Sequence, residues 1–299
     1  MAAAVVARRS QLVLGLDPDP ARLWPRAIEL AGGAGDPPAS TAQRAAMAVA
    51  IHCTLAIEAV AEHCVAVKPQ VACFERLGAP GWAALAEVVQ RAHEHGLLVI
   101  ADAKRGDIDV TAAAYGQAFL GATPTPYGDV PGLGADALTV NPLLGRDSLE
   151  PLVGAARRSG AGLFVLVRTS NRGATDVQDL PLAAGGSVTE RLAELVDRIG
   201  LRGEDGLSDV GAVVGATAPE WIERLRELMP SAVFLLPGIG AQGGRVEDLA
   251  AAFAPGPAGG LISASRGIVA AHEVHGGTPA GAAAAEAGRL RELAWSVSG

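Results

Sequence analysis

The sequence predicts a (β/α)8 barrel. Three observations carry that expectation. Eight short apolar runs rich in Val, Leu or Ile recur along the chain, stretches of helical character fill the gaps, and charged residues stand where several runs end. Near-continuous apolar runs of this length fit strands buried on both faces, as in a parallel sheet. Strand alternating with helix eight times is the order of a closed barrel, with an open doubly wound sheet as the architectural alternative. A chain of 299 residues is within the reach of a single barrel, so one domain over residues 1–299 is expected.

The apolar runs are, in order, 11–16, 64–67, 97–101, 135–140, 162–167, 210–215, 232–236 and 259–263. The first helical gap, 41–62, is Ala-rich, with Ala46, Ala50, Leu55 and Val60 near helical spacing. The next, 80–95, stops at Gly96, a residue that readily ends a helix. Segments 109–120, 146–159, 188–199, 219–229 and 246–253 fill the following gaps, and 279–297 closes the chain. Three connections are longer than a barrel needs: the Pro- and Gly-rich 121–134, the segment 171–187 after the fifth run, and the polar 201–209. Loops that follow strands lie on the face that carries barrel chemistry, so 171–187 is a candidate lid.

Composition narrows the partners. Hydrophobic residues at 49% and charged residues at 19% describe a globular chain. Aromatic residues at 4% give no stacking platform for nucleic acid. A formal charge of −8 argues against nucleic acid or an anionic membrane as a partner held by bulk electrostatics. An anionic ligand must then be held by a few local cations. The three cysteines, Cys53, Cys64 and Cys73, form no C-x-x-C pair and are odd in number, which fits packing residues in a reducing compartment. The apolar runs are too short to span a bilayer, and the first arginines follow rather than precede the N-terminal apolar stretch, so a cytoplasmic location is expected.

Asp17 ends the first apolar run, Lys68 the second and Asp102 the third, with Lys104 two residues on. Any one of these could simply stop a strand. Three consecutive strands ending this way point to barrel chemistry, which sits at strand C-termini. In an extended strand, residues two apart share a face, so Asp102 and Lys104 should point together into the mouth. Gly106 permits a turn before Asp107, which gives a run of carboxylate, ammonium and carboxylate. Acids on either side favour the charged form of Lys104, which suits a proton donor better than a Schiff-base nucleophile. Further on, Pro237-Gly-Ile-Gly-Ala-Gln-Gly-Gly244 follows the seventh run and Arg266 follows the eighth. A glycine-rich loop beside an arginine, after strands seven and eight, matches the common phosphate site of such barrels.

Asp102-Ala-Lys-Arg-Gly-Asp107 resembles the D-x-K-x-x-D motif of the orotidine 5′-phosphate decarboxylase family, in the DAKRGDI form of one bacterial branch. The resemblance extends through Leu14-Gly-Leu-Asp-Pro18, Val67-Lys-Pro-Gln70, Arg168-Thr-Ser-Asn171, the 237–244 loop and Ser265-Arg-Gly267, in family order. It implies that the chain converts orotidine 5′-phosphate to uridine 5′-phosphate in pyrimidine biosynthesis, with no metal and no cofactor. Lys104 would protonate the carbon that loses carbon dioxide, with Asp102 beside the departing carboxylate. Lys68 would link Asp102 to the ribose, and Asp17 would bind a ribose hydroxyl. Ser170 would contact the pyrimidine amide, and Gln242 and Arg266 the phosphate. Asp107 and Thr111 would reach across a homodimer into the partner's site. The chain departs from the family pattern in a long insertion at 19–39 and in Arg172, where many relatives carry proline.

Three other functions fit parts of the sequence. Related sugar-phosphate enzymes share D-x-K-x-x-D but use magnesium, with an acid where Lys68 stands. A phosphate-binding barrel without activity gains little from a charge run that is costly to desolvate. A Schiff-base aldolase would use Lys104 as a neutral amine. His93-Glu-His95 has too few ligands for a metal site and falls at a helix end, where histidines suit the dipole. Trp24, Trp82, Trp221 and Trp295 show no common spacing and read as core or interface anchors.

Overall fold

The computed structural model describes residues 1–32, 40–240 and 242–299. Eight parallel strands close a barrel in strictly sequential order: β1 (Leu12–Leu16), β2 (Ala66–Pro69), β3 (Leu98–Arg105), β4 (Ala137–Val140), β5 (Gly162–Arg168), β6 (Val210–Val214), β7 (Phe234–Pro237) and β8 (Gly260–Ala264), with β8 returning to β1. Each expected run supplies one strand, with ends shifted by a few residues. The largest departure is β3, which runs on through the charged segment to Arg105 instead of stopping at Ala101.

Strand periodicity divides the apolar residues between two cores. Val13, Ala66, Ile100, Ala137, Phe164, Val213, Leu235 and Leu261 fill the barrel interior. Their neighbours in sequence, such as Leu12, Leu14, Val67, Val99, Leu138 and Ile262, face the surrounding helices. Those helices include Thr41–Val60, Ala79–Glu94, Asp109–Phe119, Arg146–Ser159, Val188–Ile199, Ile222–Leu228 and Pro279–Val297. Capping boxes start two of them: Ser40 with Gln43, and Ser187 with Glu190, each exchanging side-chain and backbone hydrogen bonds. The segment 246–253 forms a 3-10 helix, and 219–229 divides into a 3-10 turn, Pro219–Trp221, followed by Ile222–Leu228.

Some elements carried no clear sequence signal. A short helix, Ala2–Arg8, precedes β1, and Arg8 donates to the carbonyls of Ala61, Cys64, His95 and Gly96, tying the helix to the barrel's N-terminal end. Within 121–134, Ala122–Thr123 pairs with Val130–Pro131 as a small antiparallel ribbon. The expected insertion at 19–39 contains a helix, Pro25–Gly32, and its residues 33–39 lie outside the described ones. Trp24 anchors it: its Nε1 donates to the Val269 carbonyl and its backbone N–H to His52 Nδ1.

Candidate active site

The inward-facing rows of the strands carry the site. Two residues beyond Val13 and Gly15 stands Asp17; beyond Ala66 stand Lys68 and Gln70; beyond Ile100 stand Asp102 and Lys104; beyond Ala137 stands Thr139; beyond Leu261 stand Ser263 and Ser265. The period of two thus converts an apolar barrel interior into a polar mouth at the C-terminal rim. These side chains line one cleft of about 390 Å³, together with Ser170, Gln242 and Arg266 from the loops after β5, β7 and β8. Leu166, Val213 and Leu235 form its apolar wall. Gly15 keeps the mouth open, since a Cβ there would come within 2.8 Å of the Ser265 Cβ.

Asp102 is the hub. Lys68 Nζ donates to its Oδ2 at 2.6 Å and Lys104 Nζ to its Oδ1 at 2.5 Å. Thr139 Oγ1 donates to Oδ1 at 3.0 Å, and Gln70 Nε2 to Oδ2 at 3.2 Å. Burial alone would raise the Asp102 carboxyl, but the Lys68 and Lys104 ammonium groups outweigh it and hold the group down at about 2. Burial opposes the charge on Lys68, yet Asp102 and then Asp17 overcome it and raise the ammonium above its ordinary value. Lys68 is buried and fixed, whereas the Lys104 side chain is 43% exposed and its ammonium faces the cleft. A buried carboxylate held by one enclosed cation and one accessible cation is thereby assembled at the mouth.

The expected facing of Asp102 and Lys104 holds, but through an irregular backbone. Lys104 adopts φ 49°, a left-handed conformation that costs a non-glycine residue on the order of 1 kcal/mol. The β3–β4 register shifts between Ala101 and Arg105 at the same place. Arg105, turned the other way, pairs with Glu75 and lies over the Tyr115 and Phe119 rings. Within one chain Asp107 stands apart from the other two charges of the run: its Oδ1 accepts from the Ile108 N–H at 2.8 Å, and neither Asp107 nor the exposed Thr111 lines the cleft. Among the described residues no ion pair joins Lys104 to Asp107.

The other end of the cleft is made by loops. Gly238 has φ 104°, a turn that a side chain would strain, and lies against Thr217, Gln242 and Ser170. Thr217 Oγ1 donates to the Ser170 carbonyl at 3.0 Å, which links the loops after β5 and β6. The candidate lid is stapled at its base: Arg168 makes a two-pronged pair with Asp179, and Gln178 Oε1 accepts from the Thr169 N–H. Its first turn, Arg172–Asp176, is a 3-10 helix. Arg266 opens the segment Arg266–Val269 and is exposed to the cleft.

Sequence reasoning missed Gln70 and Thr139. Gln70 could have been found as the next inward residue after Lys68. Thr139 is a lone hydroxyl inside an apolar run, a weaker signal, and only the fold brings it to Asp102. The other singled-out residues take structural places. His93 Nε2 lies 3.0 Å from Asp136 at the end of its helix, Cys53 and Cys64 are buried free thiols, and Trp82 packs on Phe119. Among the described residues no group of three His, Cys, Asp or Glu side chains is arranged to hold a metal ion, and no helix is long and apolar enough to cross a membrane.

Fold and site together define a parallel (β/α)8 barrel with a buried carboxylate between two ammonium groups at its mouth. Residues 10–276 match the model of the "Orotidine 5′-phosphate decarboxylase / HUMPS family". The chain is 48% identical over 223 residues to an orotidine 5′-phosphate decarboxylase of Rhodopirellula baltica, covering 74% of this chain and 72% of the relative. It superposes on the Leishmania donovani OMP decarboxylase with a TM-score of 0.73 and 33% identity, covering 99% of this chain and 98% of that one. The UMP synthase of the same organism matches with a TM-score of 0.73 and 34% identity; 99% of this chain is covered, but only 56% of the longer one. The chain belongs to the orotidine 5′-phosphate decarboxylase / HUMPS family.

Proposed function

We propose that this chain decarboxylates orotidine 5′-phosphate to uridine 5′-phosphate and carbon dioxide, without metal or cofactor, as a step of pyrimidine biosynthesis in the cytoplasm. The observation that carries this reading is the Asp102 carboxylate held between Lys68 and Lys104 in a cleft whose far end presents Gln242 and Arg266. With an ammonium on each of its oxygens, Asp102 has little left to offer a divalent cation. That favours the decarboxylase over the magnesium-dependent sugar-phosphate enzymes.

The chemistry needs a cation more than a sink. Breaking the bond between the ring carbon and its carboxylate releases carbon dioxide and leaves the electron pair on that carbon. No adjacent π-system takes it up, so stabilisation must be electrostatic and preorganised. The accessible Lys104 ammonium supplies the charge and then transfers its proton to the carbon, becoming a neutral amine that solvent reprotonates. Asp102 places a fixed negative charge beside the substrate carboxylate, and the repulsion falls as carbon dioxide departs. Lys68 keeps Asp102 ionised and extends towards the ribose, which Asp17 also binds. Ser170 reads the pyrimidine amide. Gln242 and Arg266 hold the phosphate, whose binding energy offsets the strain of this arrangement, so they act on turnover as well as affinity.

The site reads as complete only in a homodimer, with Asp107 and Thr111 entering the partner's cleft. Ile108 and Val110 beside them are exposed, as are Leu143 and Leu144. The two segments are neighbours, since a Cβ on Gly106 would lie 2.7 Å from the Asn141 carbonyl. An apolar face with two polar side chains projecting from it suits a second copy of the chain.

The test is direct. Chelator-treated protein is mixed with orotidine 5′-phosphate and the ultraviolet absorbance followed. Rapid conversion to uridine 5′-phosphate is expected. Inactivity of the folded dimer, with activity on a sugar phosphate after magnesium is added, would overturn the reading.

A further inference from the structure

We propose that Thr139 is a positioning residue for Lys104: its hydroxyl holds the Lys104 backbone in the left-handed turn and fixes the Asp102 oxygen that aims the ammonium. This inference rests on the decarboxylase reading above.

One oxygen does both tasks. Thr139 Oγ1 accepts from the Lys104 backbone N–H at 2.9 Å, and the same hydroxyl donates to Asp102 Oδ1 at 3.0 Å. Asp102 Oδ1 is also the oxygen that Lys104 Nζ meets at 2.5 Å. Backbone amide, hydroxyl, carboxylate and ammonium therefore form a closed ring that begins and ends on Lys104. A lysine side chain has four rotatable bonds and no rigid fork, so its position must be set from outside. Here both ends are set: the Cα by the amide contact and the ammonium by the carboxylate oxygen.

The backbone at Lys104 needs that support. Its φ of 49° is sparsely populated by residues with a Cβ, and such conformations persist where the surroundings over-determine them. The β3–β4 ladder slips at this point, so the regular sheet does not hold Lys104 in place. Thr139 sits on the neighbouring strand, 1% exposed and deep in the apolar run Ala137–Val140, and its β-branched side chain has little freedom about χ1. A hydroxyl in that setting must find partners, and both of those it finds belong to the catalytic segment. With the hydroxyl replaced by a methyl, the Lys104 amide loses that acceptor, and Asp102 Oδ1 loses one of its two donors.

The experiment compares Thr139→Val, which keeps the shape and removes the hydroxyl, with Thr139→Ser, which keeps the hydroxyl. In wild-type protein active on orotidine 5′-phosphate, Thr139→Val should lower kcat by roughly tenfold to a hundredfold, leave KM within about threefold, and Thr139→Ser should restore most of the loss. Amide hydrogen exchange, a readout that needs no substrate, should speed up at residues 98–105 in Thr139→Val and not in Thr139→Ser. A Thr139→Val enzyme with kcat within twofold of wild type overturns the inference, as does a Thr139→Ser enzyme that is equally impaired. If the wild-type protein itself fails to turn over the nucleotide, the functional reading falls instead, and the exchange experiment alone still decides whether Thr139 holds the turn.

Discussion

Lys104 and Asp102 divide one task between an accessible cation and an enclosed anion. On the proposed mechanism, replacing Lys104 with alanine removes both the charge that steadies the carbanion and the proton that quenches it. Lys104→Ala should therefore lose more than about a thousandfold in kcat while still binding uridine 5′-phosphate, measured by calorimetry; near-normal turnover would refute the role. Asp102 yields a pH prediction. Its carboxyl is depressed from 3.8 to about 2 in the folded protein, so its ion pairs stabilise the fold fully above pH ~4 and are lost as pH falls through about 2. That is roughly 2 kcal/mol for one buried group. The stability gap between wild type and Asp102→Asn, measured by urea unfolding, should narrow as pH is lowered from 5 towards 2. A constant gap would mean that the pairs do not stabilise the fold.

Elements were readable in proportion to how local their causes are. The eight strands are legible because a strand buried on both faces is an apolar run, and the runs 146–159, 188–199 and 279–297 match their helices residue for residue. The site was legible where the period of two continued past the apolar part of a strand, as at Asp102 and Lys104 in β3. It was not legible where two strands had to be adjacent: Thr139 stands 37 positions from Asp102 and meets it because β4 lies beside β3. The insertion after Asp17 was likewise visible as extra length, while its anchoring was not. His52 accepts from the Trp24 N–H through Nδ1, and burial pushes this imidazole from 6.5 down to about 4. A histidine depressed in the fold takes up protons more readily when unfolded. Its stabilising effect is full above pH 6.5 and falls as pH drops to about 4, by roughly 3 kcal/mol. His52→Asn keeps an acceptor and should flatten that part of the pH profile in urea unfolding; an unchanged slope would assign it to other groups.

At the scale of the whole molecule, a net charge of −8 means that a phosphorylated, carboxylated ligand is drawn by the mouth's own cations against the surrounding field. Lys68, Lys104 and Arg266 are concentrated in the one cleft, which answers that requirement. Neither Asp107 nor Thr111 lines the cleft of one chain, and this gives the proposed dimer a test independent of its mass. A Lys104→Ala chain retains Asp107, and an Asp107→Ala chain retains Lys104. If Asp107 serves its own chain, mixing the two poor enzymes restores nothing. If it serves the partner, a hybrid dimer contains one site with both residues intact and one with neither. Co-refolding equal amounts should make half the dimers hybrid and recover about a quarter of the wild-type activity, from two preparations that separately show little. Recovery at that level fixes the active unit as two chains exchanging residues; activity no higher than the average of the parents assigns Asp107 to its own barrel.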